Sequence, residues 1–199
     1  MATTPTRPER FEPPPIKGSR FIASVAPVVD EASARVFVHQ LREQMPDASH
    51  HCWALRLATP ALERAVDDGE PGGSAGRPIL SAIVGRDVVD VCVVVTRYFG
   101  GTKLGVGGLV RAYGGAAAAV LDRTPTVPRV QTEPWVVTLG YEDGPAVERA
   151  LQRLGIPNGE VEYGQQILYR LTVPVADGDA VAQALGDATA GRATLHRPR

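Results

Sequence analysis

A glycine-rich loop between an apolar run and a helix-like segment is the part of the chain best suited to bind an anion. It contains five glycines within nine residues: Gly100, Gly101, Gly105, Gly107 and Gly108. A strand, a glycine loop and a helix in this order present free backbone N–H groups to a negatively charged ligand. Arg97, Lys103 and Arg111 accompany the loop, and residues 91–121 contain no acidic side chain. The segment therefore predicts a phosphate-binding site, although the glycines alone also fit a sharp turn with close helix–sheet packing.

Two known nucleotide-binding fingerprints are absent from this loop. Residues 105–108 read GVGG, which lacks the G-x-G-x-x-G spacing of dinucleotide-binding loops. Lys103 follows Thr102 and precedes Leu104, so the G-x-x-x-x-G-K-[ST] phosphate loop is absent as well. Neither fingerprint supports binding of NAD or ATP.

Two aromatic residues, Tyr98 and Phe99, stand immediately before the first glycine. An exposed ring beside Arg97 would offer a stacking platform of the kind found in single-stranded nucleic-acid sites. Adjacent residues on a strand point in opposite directions, so we expect one ring in the core and the other partly exposed.

Three carboxylates lie close together on a loop rich in glycine and proline: Asp67, Asp68 and Glu70. Such a group could bind a ligand or a divalent cation, or serve as acid and base. The D-x-[DN]-x-[DN]-G pattern of a calcium loop is missing, and a solvated acidic turn is the simplest alternative. The interpretation that fits the chain best pairs these carboxylates with arginines across the fold: Arg77, Arg97 or Arg111.

The sequence His50-His51-Cys52 does not predict a metal site. On a strand, His50 and Cys52 share one face and His51 takes the other. The chain has four histidines and two cysteines in all, which leaves few ligands for a zinc site. We expect no metal and no cofactor, an unreactive buried thiol at Cys52, and hydrogen bonding from His50 to the acidic loop.

Composition restricts the class of protein. The 199 residues carry 21 Lys and Arg against 22 Asp and Glu, so the net charge is -1 and any nucleic-acid site must be local. Two cysteines are too few for a disulfide framework. The sequence shows no signal peptide and no apolar run that could cross a membrane. We expect a cytoplasmic location and no membrane partner.

The elements that must position these residues fall into two groups behind a tail. Residues 1–15 are rich in proline with little to bury, so they predict a disordered tail. Residues 16–128 predict an α+β domain that contains both loops and a helix capped by Asp30 or Ser33. Residues 129–199 show the order β-α-β-β-α-β, which is typical of a ferredoxin-like domain.

The residues around these loops resemble the IMPACT/YigZ family, in its bacterial branch. The matching segments are residues 48–52, 67–71, 75–80, 95–101, 103–105 and 107–113. The resemblance implies an N-terminal domain like domain 2 of ribosomal protein S5. It also implies a C-terminal ferredoxin-like domain similar to the last domain of translation factor EF-G. Eukaryotic relatives act in translational control through a partner-binding domain that this sequence lacks, and the bacterial branch has no established reaction.

Three hypotheses from different classes follow, and the last of them is a purely protein-binding adaptor. The leading one is a non-enzymatic RNA- or ribosome-binding protein with a translation-related regulatory role, in which a protein partner is a further expectation. Its contacts would come from the glycine loop, with Arg97, Lys103 and Arg111 on phosphates. The alternative is an enzyme acting on a small phosphorylated or anionic ligand held by residues 97–111, with the carboxylates of residues 67–70 nearby.

Overall fold

A computed structural model describes residues 2–197. Contacts divide the chain into two units, of which the first ends at Arg129 and the second begins at Val130. Both units combine helices with antiparallel sheet, so the chain is an α+β protein. No helix within the described residues is both long and apolar enough to cross a membrane.

The first unit is built on a five-stranded antiparallel sheet with helices on both faces. The first unit has seven strands within the described residues, five of them in this sheet: β1 (Thr3–Pro5), β2 (Glu9–Phe11), β3 (Arg20–Pro27), β4 (His50–Ala58), β5 (Ala61–Val66), β6 (Val91–Tyr98) and β7 (Thr126–Pro128). Its helices are α1 (Glu31–Gln44), α2 (Gly76–Val84) and α3 (Val106–Leu121). The main sheet has the order β2-β3-β6-β4-β5, while β1 and β7 form a separate pair.

Strand β6 is the centre of this sheet, and its sequence explains why both faces are covered. Because side chains alternate along a strand, Cys92 and Val94 face α1, whereas Val93 and Val95 face α2 and α3. Helix α1 begins where the sequence predicted, since the Asp30 carboxylate accepts the Ser33 N–H at 2.7 Å in a capping box.

The amino-terminal segment differs from the prediction of a disordered tail over residues 1–15. Strand β1 pairs with β7, and β2 adds an edge strand beside β3. Phe11 packs against the core, and the Arg10 side chain donates to Ser24 and Gln44. The tail prediction is therefore wrong for both strands, because edge pairing and one partly buried ring order a segment whose own composition is unfavourable.

The second unit has the predicted order β-α-β-β-α-β. Its elements are β8 (Thr132–Leu139), α4 (Gly144–Arg153), β9 (Glu160–Tyr163), β10 (Ile167–Pro174), α5 (Gly178–Thr189) and β11 (Thr194–His196). The antiparallel sheet has the order β11-β8-β10-β9. Alternate residues of the central strands, such as Trp135 and Leu171, form one core with Val147 of α4 and Leu185 of α5.

Candidate functional site

The two loops singled out in the sequence meet through a buried ion pair. Arg97, near the end of β6, places Nη1 2.6 Å from Oε1 of Glu70, on the loop between β5 and α2. The two side chains are 6% and 5% exposed, so water screens the pair very little. Of the pairings that the sequence left open for the acidic loop, the one between Glu70 and Arg97 is confirmed.

Further groups converge on the same carboxylate oxygen. The Tyr113 hydroxyl of α3 donates to Glu70 Oε1 at 2.7 Å, and His50 Nε2 lies 3.9 Å from that atom. Burial, followed by the neighbouring Cys52 and Glu70, raises the pKa of Tyr113 far above its ordinary value. The Tyr113 hydroxyl therefore keeps its proton and remains a donor at any physiological pH.

The Arg97 guanidinium is fixed on several sides. Nη2 donates to Ser19 Oγ at 3.3 Å, and the group lies 5.6 Å from the centre of the Phe21 ring and 5.4 Å from that of Phe99. Its Nε is buried and has no hydrogen-bond acceptor among residues 2–197. A buried donor without a partner costs about 1–3 kcal/mol. We predicted phosphate contact for Arg97, but its two terminal nitrogens are committed to Glu70 and Ser19 instead.

Asp67 organises the acidic loop rather than a ligand. Its carboxylate accepts the backbone N–H groups of Gly73, Ala75 and Gly76 at 2.7, 3.0 and 2.8 Å. Burial acts to raise the pKa of Asp67, but these three donors outweigh it and hold that pKa below its ordinary value. Asp67 is thus an ionised group that holds the start of α2 in place.

Asp68 points to a different partner from those the sequence suggested. Its carboxylate accepts the His51 N–H at 2.7 Å and pairs with Arg42 of α1. Its carbonyl accepts a hydrogen bond from His50 Nδ1 at 2.8 Å, as expected for a histidine beside the acidic loop. With φ of +46°, Asp68 turns the chain in the left-handed region, and Gly69 continues that turn at +89°.

The glycine loop combines close packing with open space. At Gly100, an added Cβ would stand 1.9 Å from the carbonyl carbon of Gly18, so the two backbones touch. Around Gly101 and Gly105 an added Cβ would meet nothing within 4 Å. Both interpretations of the glycines therefore apply, each to different residues.

Of the two aromatic residues before the glycine loop, one packs partly into the protein and the other is exposed to solvent. Tyr98 is half-buried beside the α1 core, and its hydroxyl donates to Asp47 at 3.1 Å. Phe99 is 51% exposed, so it is the ring available for stacking. We expected one of the two rings to lie in the core. Tyr98 is only partly buried, because β6 ends at that residue.

Three cations around the glycine loop are solvent-exposed, and the described residues provide neither a hydrogen bond nor an ion pair to them: Lys17, Lys103 and Arg111. We call them the basic rim. Lys103 lies in the loop, Arg111 on α3, and Lys17 beside Gly18, which contacts Gly100. Arg77, in the first turn of α2, is also exposed and acts on Asp67 only through its charge.

A cavity of about 330 Å³ lies beside the buried ion pair and is lined by residues of both loops. The Glu70–Arg97 pair and Lys103 contribute its charged groups, and Phe99 and Leu104 contribute apolar walls. The first residues of α3 complete it. Helix α3 begins after Gly105 without a side-chain cap and without an acidic residue in its first turn, so the N–H groups of residues 106–108 lack acceptors within the helix.

Other candidate residues stay outside this cavity. Asp67, Asp68, His50 and Arg77 do not line it. Cys52 is buried, as predicted. Burial raises the pKa of its thiol to about 12, and the thiol donates to the Asp67 carbonyl. Within the described residues no group of three His, Cys, Asp or Glu is arranged to hold a metal ion.

Sequence reasoning missed three residues that support the site. Ser19 joins Arg97 to the glycine loop by accepting the Gly100 N–H at 3.1 Å. The Tyr113 hydroxyl was not predicted as a partner of Glu70, and Arg42 was not predicted as a partner of Asp68. The signal for Ser19 lies in the pairing of β3 with β6, which brings Arg20 opposite Tyr98.

Known proteins share the part of the chain that forms this site. The profile of the Impact N-terminal domain matches residues 17–121, which include both loops and α3. An IMPACT family member of Thermus thermophilus is 39% identical over 178 residues, covering 89% of this chain and 97% of that protein. The IMPACT family member YigZ of Escherichia coli K12 is 34% identical over 186 residues, covering 90% of each.

A solved structure agrees over the full length. The crystal structure of a hypothetical protein superposes with a TM-score of 0.80 at 31% identity and covers 100% of this chain and 97% of its own. The profile match spans more than half of the chain, and the sequence relatives are matched over nearly their whole length. The chain therefore belongs to the IMPACT family.

Proposed function

We propose that the chain is a cytoplasmic, non-enzymatic RNA-binding protein with a regulatory role in translation, and that the basic rim contacts RNA phosphates. The observation that carries this proposal is that Lys17, Lys103 and Arg111 are exposed and without an anionic partner in the described part of the chain. Unpaired cations on a protein of net charge -1 make a local, not a general, anion-binding surface.

Backbone groups add to these charges. The uncapped start of α3 presents the N–H groups of residues 106–108 beside Lys103, and the helix dipole favours an anion there. Phe99 offers an exposed ring next to the same loop, and base–aromatic stacking contributes about 1–3 kcal/mol per base. Phosphate contact and stacking from one loop favour single-stranded RNA over a duplex.

The buried ion pair has a supporting part in this proposal. Arg97 and Glu70 hold the glycine loop against the acidic loop, and Ser19 ties Gly100 to the same guanidinium. The Asp67 carboxylate accepts backbone N–H groups, and the Asp68 carboxylate pairs with Arg42. Of the three carboxylates, only Glu70 lines the cavity. The alternative enzyme hypothesis thus lacks its paired carboxylates.

The proposal includes the domain relationships that the family resemblance implies. We infer that the first unit is like domain 2 of ribosomal protein S5 and that the second is ferredoxin-like, similar to the last domain of EF-G. The sheet order β11-β8-β10-β9 supports the second assignment, and so does the packing of α4 and α5 into one core on the same sheet. Both relatives work on the ribosome, which makes ribosomal RNA the first RNA to test.

The test compares a rim variant with a matched control over a salt series. Lys103→Ala with Arg111→Ala removes two rim cations, and Arg149→Ala with Arg153→Ala removes two exposed arginines of α4 that have no ion-pair partner among residues 2–197. Each phosphate contact to a single strand contributes roughly 0.7 to the slope of log K against log salt. We expect the rim variant to lose about 1.4 of that slope and the control variant to keep it.

Binding is measured by fluorescence anisotropy of a labelled single-stranded RNA and by co-sedimentation with ribosomes. Equal slopes for the wild type and the rim variant would exclude the basic rim as the phosphate-binding surface. No association at low salt would exclude RNA binding by this chain.

A further inference from the structure

An open oxygen of Glu70 is the starting point for a more specific assignment. The Glu70 side chain is 5% exposed and lines the cavity, and no hydrogen bond from the described residues reaches its Oε2. Buried polar atoms are nearly always hydrogen-bonded, so an acceptor left without a partner in a cavity wall favours a bound donor group.

We propose that this cavity binds the base of one nucleoside monophosphate, with its phosphate between Lys103 and the start of α3. The assignment rests on the proposed RNA-binding function and names the unit that the site recognises. The same chemistry is present in a free nucleotide and in one nucleotide of an RNA strand, and the experiment below separates these two sources.

The floor of the cavity offers an acceptor within a neutral ion pair. Arg97, Tyr113 and His50 all approach Oε1 of Glu70, and no hydrogen bond from the described residues reaches Oε2. Because Glu70 and Arg97 neutralise each other, the group bound against them is neutral, and a buried ion would be left without a counter-charge. The exocyclic amino group of a base is a neutral donor that fits this oxygen.

The walls fit a flat apolar group of limited size. Phe99, Leu104 and Val106 line the cavity, and its volume of about 330 Å³ lies at the small end of ligand sites. Phe99 has half of its surface open, and a ring of this kind stacks against the face of a base. A sugar without a base would leave these walls uncovered.

The mouth of the cavity is the anionic end. Lys103 is exposed at the rim, and Gly105 begins α3 with no side-chain cap. A phosphate there would accept N–H groups from residues 106–108 and face an ammonium group. Neutral floor, apolar walls and cationic mouth together describe a nucleoside monophosphate rather than inorganic phosphate alone.

The first experiment uses the wild-type full chain and calorimetric titration with AMP, GMP, ribose phosphate and inorganic phosphate. We expect at least one nucleotide to bind about 10-fold or more tightly than ribose phosphate, since the base adds stacking and edge contacts. Equal binding of ribose phosphate and both nucleotides, or no binding of either nucleotide, would overturn the base assignment. Because no variant is needed, misfolding cannot produce that result.

Variants then locate the ligand. Leu104→Trp fills the cavity from a half-buried wall position and is expected to abolish nucleotide binding. Lys103→Ala is expected to weaken nucleotides and ribose phosphate alike by about 10-fold, because it removes a charge-assisted contact. Glu70→Gln is expected to weaken nucleotides only. Arg149→Ala, far along the chain on α4, is the matched control and should change none of these values.

A titration with single-stranded RNA distinguishes a free nucleotide from one nucleotide of an RNA strand. It also distinguishes failure of the base site from failure of the proposed RNA-binding function. RNA that binds the wild type and competes with AMP or GMP indicates one nucleotide of a strand. Nucleotide binding without any RNA binding keeps the base site and indicates a free nucleotide, while it excludes the proposed function. RNA binding that Leu104→Trp leaves unchanged keeps the proposed function and overturns the base site.

Discussion

Arg97 and Glu70 lie 27 residues apart in the chain, and their side chains meet at 2.6 Å with almost no exposure to solvent. The pair joins the end of the central strand to the acidic loop, and the Tyr113 hydroxyl closes the third side of the same carboxylate. A buried pair of this kind contributes little net stability, but losing one partner leaves an isolated buried charge.

We therefore expect Glu70→Ala and Arg97→Ala each to lower the free energy of unfolding of the first unit by about 3–5 kcal/mol. Urea unfolding followed by Trp53 fluorescence in a Trp135→Phe background measures this unit alone, because the chain has two tryptophans, one in each unit. The control is Arg170→Ala at the pair Arg170–Glu162, whose side chains are 49% and 60% exposed, read from Trp135 instead. Its cost should stay below about 1 kcal/mol. Similar costs at both pairs would contradict the structural role of Glu70.

Asp67 gives the first unit a defined response to acid. Its pKa is below the ordinary value of 3.8 in the folded chain, so its contribution is complete above that value and is lost as the pH falls through the folded pKa. We expect Asp67→Asn to cost about 1–2 kcal/mol at neutral pH, as for the loss of a helix cap. The difference from wild type should shrink at pH values below the ordinary pKa.

Unfolding at neutral pH and in acid, with Asp187→Asn on α5 as an exposed control, checks this response. A difference between wild type and Asp67→Asn that stays constant across this range would mean that the carboxylate is not the group that titrates.

Gly100 and Gly115 should respond to alanine with opposite signs. At Gly100 the new Cβ would stand 1.9 Å from the Gly18 carbonyl carbon, and the displaced loop should cost about 1–3 kcal/mol. At Gly115, inside α3, an added Cβ meets nothing within 4 Å, and alanine should stabilise the helix by up to about 1 kcal/mol. Thermal and urea unfolding of both variants measures the contrast, and stabilisation by Gly100→Ala would refute the close approach to Gly18.

The sequence was sufficient where the signal is local. The Asp30 cap and the strand that carries His50 and Cys52 are each encoded within a few neighbouring residues, and the structure has both. The choice of Arg97 over Arg77 or Arg111 as the partner of Glu70 was not encoded locally. It depends on how β3, β4 and β6 align, because this alignment brings Ser19 to Arg97 and His50 opposite Arg97.

The amino-terminal strands show the same limit in another form. A proline-rich composition describes what residues 2–11 can bury by themselves, and it contains no information about an edge strand that accepts them. Strand β2 uses the open edge of β3, and Phe11 lies under the Arg123 guanidinium, 3.7 Å from the ring centre. These contacts are decided by the completed sheet.

Phe11 should therefore contribute to the stability of the first unit although it lies in a segment of unfavourable composition. Phe11→Ala removes a half-buried ring from the α3 side of the core and the cation–π contact with Arg123. We expect a loss of about 2–3 kcal/mol, below the value for a fully buried phenylalanine. Arg7→Ala, in the exposed turn between β1 and β2, should stay within about 0.5 kcal/mol of wild type. Urea unfolding read from Trp53 compares the two, and a Phe11→Ala variant as stable as Arg7→Ala would mean that the segment does not pack on the sheet in solution.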